Sequence, residues 1–350
     1  MEPGKPSRYN LQQEQLILPE RVTVRDPRGG QYVIVSVLGK GEFGAVYLVR
    51  ERQSKRDLFA LKEIINPNKD EREHFTFEAE VLKRLNHVAL PRVHRVFEND
   101  RLKRVYLLMD YISGRNLEAL RQEQPAKCFS LPLALALLAP IADALSYLHA
   151  QVPPIVHRDV KPANIIVPEA GGQAMLVDFG SAKEFIPGSV TNVVSRRTPG
   201  YAAPELYRTG TNPRTDIYGL GATLYVLLTG VAPVDAPSRI AGNWSTRTDP
   251  LNPAHLLNST IPIGVSEALQ RAMAMKTEDR FGTVAEFWRV LTAQSMQQMA
   301  STPPLEISQP HPTQPIEDAP TQPLRKELYA PRSKKRRILR IFGLLKGHSS

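Results

Sequence analysis

Hydrophobic positions along the chain follow one pattern before Gly114 and another after it. In the first stretch, Tyr32 to Leu38 and Ala45 to Glu51 are short β-branched and aliphatic runs separated by Gly39, Gly41 and Gly44, which predicts two strands joined by a glycine turn. Leu58 to Ile65 and Val105 to Tyr111 read as further strands. Between them, Asp70 to Leu85 places Phe77, Val81, Leu82 and Leu85 at helical spacing. After Gly114 the pattern is that of long helices, Leu131 to His149, Thr215 to Thr229, Val265 to Met275 and Val284 to Gln297, separated by loops rich in Gly, Pro and Asn. These runs predict an α+β molecule of two lobes: a small antiparallel sheet with one main helix over residues 31–113, and a larger, mostly helical lobe over residues 114–297.

The ends of the chain lack these periods. Residues 1–30 are polar, carry Pro3, Pro6, Pro19 and Pro27, and read as an extension. Residues 301–331 hold eight prolines and few large apolar side chains, a linker composition that cannot bury a core, and repeat Pro-Thr-Gln-Pro at 312–315 and 320–323. Residues 332–350 are basic and then apolar. The uncharged run from Ile217 to Val234 is near the minimum length for a membrane span, but its glycines, Pro233 and the flanking Asp216 and Asp235 predict a helix buried in a soluble domain.

Composition adds two points. The chain has 350 residues, 42% of them hydrophobic and 23% charged, which excludes a wholly disordered or collagen-like protein. Its net charge of +10 would suggest a polyanion binder if it were spread evenly, yet the stretch from Leu324 to Ser350 holds nine Lys or Arg and one acid, so the excess belongs to a tail and no nucleic acid partner is expected. Cys128 is the one cysteine and cannot form an internal disulfide; with no secretory signal at the start, the expected setting is cytoplasmic.

Candidate chemistry is concentrated in short motifs. Leu38-Gly39-Lys40-Gly41-Glu42-Phe43-Gly44-Ala45-Val46 occupies the strand-turn-strand; a glycine turn alone is as readily structural as phosphate-binding. It is followed by Ala60-Leu61-Lys62, by Glu78 on the helix, by His157-Arg158-Asp159-Val160-Lys161-Pro162-Ala163-Asn164, by Asp178-Phe179-Gly180, and by Ala203-Pro204-Glu205. Moving a terminal phosphoryl group needs charge neutralisation and alignment more than covalent help, so such a site requires cations, metal-binding carboxylates and a cover that excludes water. Each requirement has a candidate here.

In order and spacing these motifs resemble the eukaryotic-type (Hanks-type) serine/threonine protein kinases, from about Tyr32 to about Ala293, with a compact domain and Pro/Thr-rich linker similar to bacterial members. The resemblance implies a two-lobed kinase fold that transfers the γ-phosphoryl of ATP, with Mg2+ or Mn2+, to Ser or Thr hydroxyls of protein substrates. Lys62 would reach the α and β phosphates and Glu78 hold it in place, with Glu80 a competing partner. Asp159 would take or orient the hydroxyl proton, Lys161 neutralise the transferring phosphate, and Asn164 and Asp178 hold the metal. Val46, Ala60 and Ile166 would sandwich adenine, Met109 guard the back of its pocket, and Asp110, Tyr111 and Ile112 form the hinge.

The same resemblance makes Glu205 and Arg280 a buried ion pair, Asp216 the anchor of the catalytic loop, and Val93, Leu82, Phe179 and His157 a stack joining the lobes. Thr198 would bridge Asp159 and Lys161. Ser189, Thr191, Ser195 and Thr198 are candidate hydroxyls on an activation loop, with Arg158 the cation that receives a phosphate there and self-association the route to autophosphorylation in trans. The alternatives are a binding module that keeps the fold without turnover, and a small-molecule phosphotransferase. For the tail, Lys334 to Arg337 followed by Ile338, Leu339, Ile341, Phe342, Leu344 and Leu345 fits either a solvated basic terminus or a segment lying on an anionic membrane surface, such as the inner membrane face.

Overall fold

The computed structural model describes residues 17–41, 44–53, 57–67, 69–188, 198–207, 210–246 and 249–301. The chain divides into two units, Met1–Pro303 and Pro304–Ser350. Glu42, Phe43, Ser189, Thr191, Ser195, the linker from residue 302 and the basic tail lie outside the described residues.

The first lobe is a six-stranded antiparallel sheet in the order β1-β2-β3-β4-β6-β5. Its strands are β1 (Thr23–Arg25), β2 (Gln31–Gly41), β3 (Gly44–Glu51), β4 (Leu58–Ile65), β5 (Val93–Asn99) and β6 (Arg104–Asp110). Helix α1 (Lys69–Arg84) connects β4 to β5 and buries Phe75, Ala79, Val81, Leu82 and, just past its end, Leu85. The two faces of the sheet serve different cores. Side chains on one face join α1 and the second lobe in one large cluster, while Val24, Tyr32, Ile34, Tyr47, Val49, Leu61, Phe97, Tyr106 and Leu108 form a separate cluster on the other. The alternation of side chains along each strand makes this division possible.

The boundary drawn at residue 30 needs correction. Within the stretch read as an extension, Thr23 to Arg25 pair with Val33 to Gln31 as an edge strand, and Ile17, Leu18 and Val22 pack on the second cluster. Three residues are too short for a periodic signal, and the nearby prolines masked it.

The second lobe contains α2 (Leu117–Gln122), α3 (Leu131–His149), α4 (Arg214–Thr229), α5 (Ala236–Thr246), α6 (Ala254–Leu257), α7 (Ile263–Ala272) and α8 (Val284–Ser301), with short strand pairs between α3 and α4 and a strand at Gly114–Asn116. α4 is buried on every side from Thr215 to Leu228, which accounts for the uncharged run that begins at Ile217. α3 is the one helix among the described residues long and apolar enough to cross a membrane; it turns Ala134, Leu138, Ile141, Leu145 and Leu148 into the core and packs on α4 and α8.

Candidate active site

The roof of the cleft is built by β2, β3 and β4. A Cβ at Gly44 would lie 1.9 Å from the carbonyl oxygen of Glu63, so glycine there is demanded by the neighbouring strand. At Gly39 a Cβ would meet no described residue other than its chain neighbours within 4 Å, so the backbone there faces open space. Leu38 is exposed although it lies on a strand, and Val46 and Ala60 sit on adjacent strands, with Ala60 paired to Met109 of β6. Ile166, on the strand Ile165–Pro168, stands opposite Asn116. Asp110 is fastened at the end of β6: its carboxylate accepts from the Arg92 N–H at 3.0 Å and pairs with His94 Nε2 at 2.7 Å. Ile112 follows it in the half-buried stretch between the lobes.

Lys62 points from β4 into the cleft. Its Nζ donates to both carboxylate oxygens of Glu78, at 2.7 and 2.9 Å, and to Oδ1 of Asp178 at 3.2 Å. Helix α1 supplies Glu78, and the Glu80 alternative is excluded, because Glu80 is exposed on the helix. Burial alone would push the Lys62 ammonium down, but the Glu78 and Asp178 carboxylates more than reverse this and hold it charged. The ammonium in turn holds the half-exposed Asp178 carboxylate well below its usual range, with help from hydrogen bonds donated by Lys62 and the Gly180 N–H.

The catalytic-loop candidates converge on Asp159. Lys161 Nζ donates to Asp159 Oδ2 at 2.7 Å and to Thr198 Oγ1 at 2.8 Å, and Thr198 Oγ1 donates to Asp159 Oδ1 at 3.2 Å. Asn164, in the short turn Pro162–Asn164, donates from Nδ2 to the Asp159 carbonyl and to Oδ2, both at 2.9 Å. With its amide nitrogen so used, its carbonyl oxygen is the atom left for a hard cation. Together with the ionised Asp178, it provides a donor set that suits Mg2+ or Mn2+.

Arg158 and Asp178 both take positive φ, 66° and 65°, a conformation rare for side-chain-bearing residues and costly unless the surroundings enforce it. Asp216, in the first turn of α4, does so for Arg158. Its buried carboxylate accepts the backbone N–H groups of His157 at 2.8 Å and Arg158 at 2.7 Å, and pairs with His149 Nε2 at 2.8 Å. Phe179 packs edge-on against His157 with ring centroids 4.8 Å apart, and Leu82 and Val93 join the same core. Burial keeps His157 neutral by lowering its pKa.

The Arg158 guanidinium donates from Nε to the Ser181 carbonyl, while one of its terminal nitrogens is buried with no partner among the described residues. Burial lowers its pKa to about 10. Further from the cleft, Glu205 and Arg280 form a two-pronged pair at 2.8 and 2.9 Å, with Arg280 also donating to the carbonyls of Ala274 and Arg214 and Thr215 Oγ1 donating to Glu205.

Three supporting residues escaped the sequence reading. His149 ends a largely apolar helix, a signal of a buried polar contact, and Thr215 lies next to Asp216. Glu63 follows Lys62 directly and, by strand alternation, points to the opposite face, where it is buried.

Residues 32–283 match the protein kinase domain family. The serine/threonine-protein kinase Sgk1 of Danio rerio is 37% identical over 204 residues, which is 57% of this chain and 45% of that protein. A probable serine/threonine-protein kinase of Clostridium perfringens is 28% identical over 262 residues, 74% of this chain and 37% of that protein. The chain thus spans less than half the length of these curated relatives. Among solved structures, the Mycobacterium tuberculosis PknI kinase domain superposes with a TM-score of 0.61 at 28% identity, covering 80% of this chain and 99% of that one. An apo form of PpkA superposes with a TM-score of 0.62 at 26% identity, covering 78% and 99%.

Proposed function

The chain belongs to the protein kinase family, and on that premise we propose that it is a serine/threonine protein kinase that transfers the γ-phosphoryl group of ATP to protein hydroxyls. One observation carries the reading: Lys62, Glu78 and Asp178 form one hydrogen-bonded set drawn from both lobes, Asp159 and Asn164 form a second, and the Val177 N–H, next to Asp178, donates to the Asn164 carbonyl at 2.9 Å and so ties the two together. A binding module without turnover has no need of this set.

In the proposed reaction the acceptor oxygen bonds to the γ-phosphorus as the bond from that phosphorus to the ADP oxygen breaks, and the hydroxyl proton passes to Asp159. Lys161, 2.7 Å from Asp159, offsets negative charge on the transferring group. Lys62, held by Glu78, does so at the α and β phosphates, and the backbone near Gly39 lies against the phosphates. Asn164 and Asp178 would hold Mg2+, which when bound would supply further charge neutralisation. The similarity to serine/threonine-protein kinases supports Ser or Thr as the acceptor.

We also propose that an activation-loop phosphate, added by a second copy of the chain, pairs with Arg158, whose buried unpartnered nitrogen supports this reading. The test is incubation of the purified chain with Mg-ATP and mapping of its phosphosites. Phosphoserine or phosphothreonine within 189–198 is the expected result. Fully active enzyme with an unmodified loop refutes the Arg158 proposal, and absence of transfer to any Ser or Thr refutes the kinase reading.

A further inference from the structure

The kinase family match begins at Tyr32, yet the residues before it are built into the sheet that carries Lys62. The Arg21 N–H donates to the Ile34 carbonyl at 2.8 Å, the Ile34 N–H to the Val22 carbonyl at 2.9 Å, and Ile17, Leu18 and Val22 cover the outer core of the sheet. Beneath them is a buried polar relay. The Leu18 N–H donates to the Tyr47 hydroxyl at 3.0 Å, which donates its single proton to Glu63 Oε2 at 2.6 Å, while Arg104 donates to Glu63 Oε1 at 2.5 Å.

Tyr47 stands on β3, Glu63 on β4 and Arg104 on β6, so three adjacent strands are pinned at the residue following Lys62. A carboxylate this deeply buried costs free energy unless both oxygens are held, and here both are. We infer that residues 17–22, acting through the Tyr47 hydroxyl and Glu63, form a clasp that positions Lys62 in the cleft, Tyr47 being a positioning residue; its consequence for nucleotide rests on the kinase reading above.

A merely stabilising cover would behave differently, and the segment contains its own control. Asp26, at the far end, accepts from the backbone N–H groups of Arg28 and Gly30 and pairs with Arg95 of β5, away from β4. The experiment compares full-length wild type, Tyr47→Phe, Leu18→Pro and Asp26→Asn by hydrogen exchange of the peptide spanning 58–65 and by steady-state kinetics with Mg-ATP.

Tyr47→Phe, which removes one oxygen, is expected to speed exchange in β4 about tenfold and raise KM for Mg-ATP about fivefold, with transfer slowed less than in Glu78→Gln, the effect of losing one buried hydrogen bond. Leu18→Pro, which removes the relay's N–H donor and some cover and also fixes the backbone at residue 18, should shift both in the same direction. Asp26→Asn should lower the thermal midpoint while leaving β4 exchange and KM within about twofold. The clasp is refuted if Tyr47→Phe and Leu18→Pro leave β4 exchange as in wild type, or if Asp26→Asn moves exchange and KM as far as they do. Because exchange needs no turnover, a chain that never consumes ATP would overturn the kinase reading and leave the exchange result to decide the clasp.

Discussion

Replacing Glu205 with leucine strands a buried cation, and the structure sets the size of the effect. The Arg280 side chain is fully buried and that of Glu205 is 13% exposed, so neither charge can recover its hydration by a small movement. Glu205→Leu removes both prongs of the pair and the acceptor used by Thr215, while Arg280 keeps only the carbonyls of Ala274 and Arg214 and the face of the Tyr218 ring 5.1 Å away. Breaking a buried pair from one side costs about 3–5 kcal/mol, whereas replacing both partners with apolar residues is often close to neutral. With a urea m-value of about 3 kcal/mol/M for a domain of this size, the midpoint should fall by about 1–1.7 M.

The assay is urea unfolding of wild type, Glu205→Leu, Arg280→Met and the double variant, with unchanged m-values as the check that only stability moved. The double variant should be more stable than Glu205→Leu alone. A loss below about 1 kcal/mol in Glu205→Leu, the range of exposed pairs, or a double variant that loses the sum of both singles, would refute the reasoning.

Two further outcomes follow from the site. Asp216 has a depressed pKa: burial opposes ionisation, but the His149 pair and the backbone N–H groups outweigh it. Its stabilising contribution is therefore complete above the unfolded value of about 3.9 and lost as pH falls through the lower folded value, so urea midpoints measured from pH 7 downward should show less of this acid-side loss in Asp216→Asn than in wild type. Glu78→Gln removes the first carboxylate that holds the Lys62 ammonium and should slow phosphoryl transfer about tenfold or more in a single-turnover assay, while Glu80→Gln, on an exposed position, should leave it unchanged.

The parts legible in the sequence were those in which local pattern and final role coincide. α3 spans Leu131–His149, as its apolar run predicts, and β4 spans Leu58–Ile65. The catalytic-loop residues are readable because Asp159, Lys161 and Asn164 are crowded into one short stretch whose turn brings them together. What was not legible depends on pairing across the fold. β5 reads as Val-His-Arg-Val-Phe-Glu-Asn, too charged to announce a strand, and becomes one because β6 supplies its partners. The choice of Glu78 over Glu80 is a matter of helix phase relative to Lys62, and the roles of Glu63 and Tyr47 need the opposite face of the sheet and a segment more than ten residues upstream of the family match. Gly44 shows the reverse: in a turn whose glycines read equally as structural or phosphate-binding, this one has a structural reason to be glycine, because Glu63 leaves no room for a Cβ.

The central claim is that the groups gathered around Asp159 form a working phosphoryl-transfer site, and its most direct test is the rate of γ-phosphoryl transfer in Asp159→Asn set against Mg-ATP binding by calorimetry. The account predicts that wild type phosphorylates Ser or Thr and that the variant binds Mg-ATP within about twofold of wild type but transfers roughly 10²–10⁴ times more slowly. Transfer by Asp159→Asn at the wild-type rate, or a wild type that binds no Mg-ATP, would contradict it.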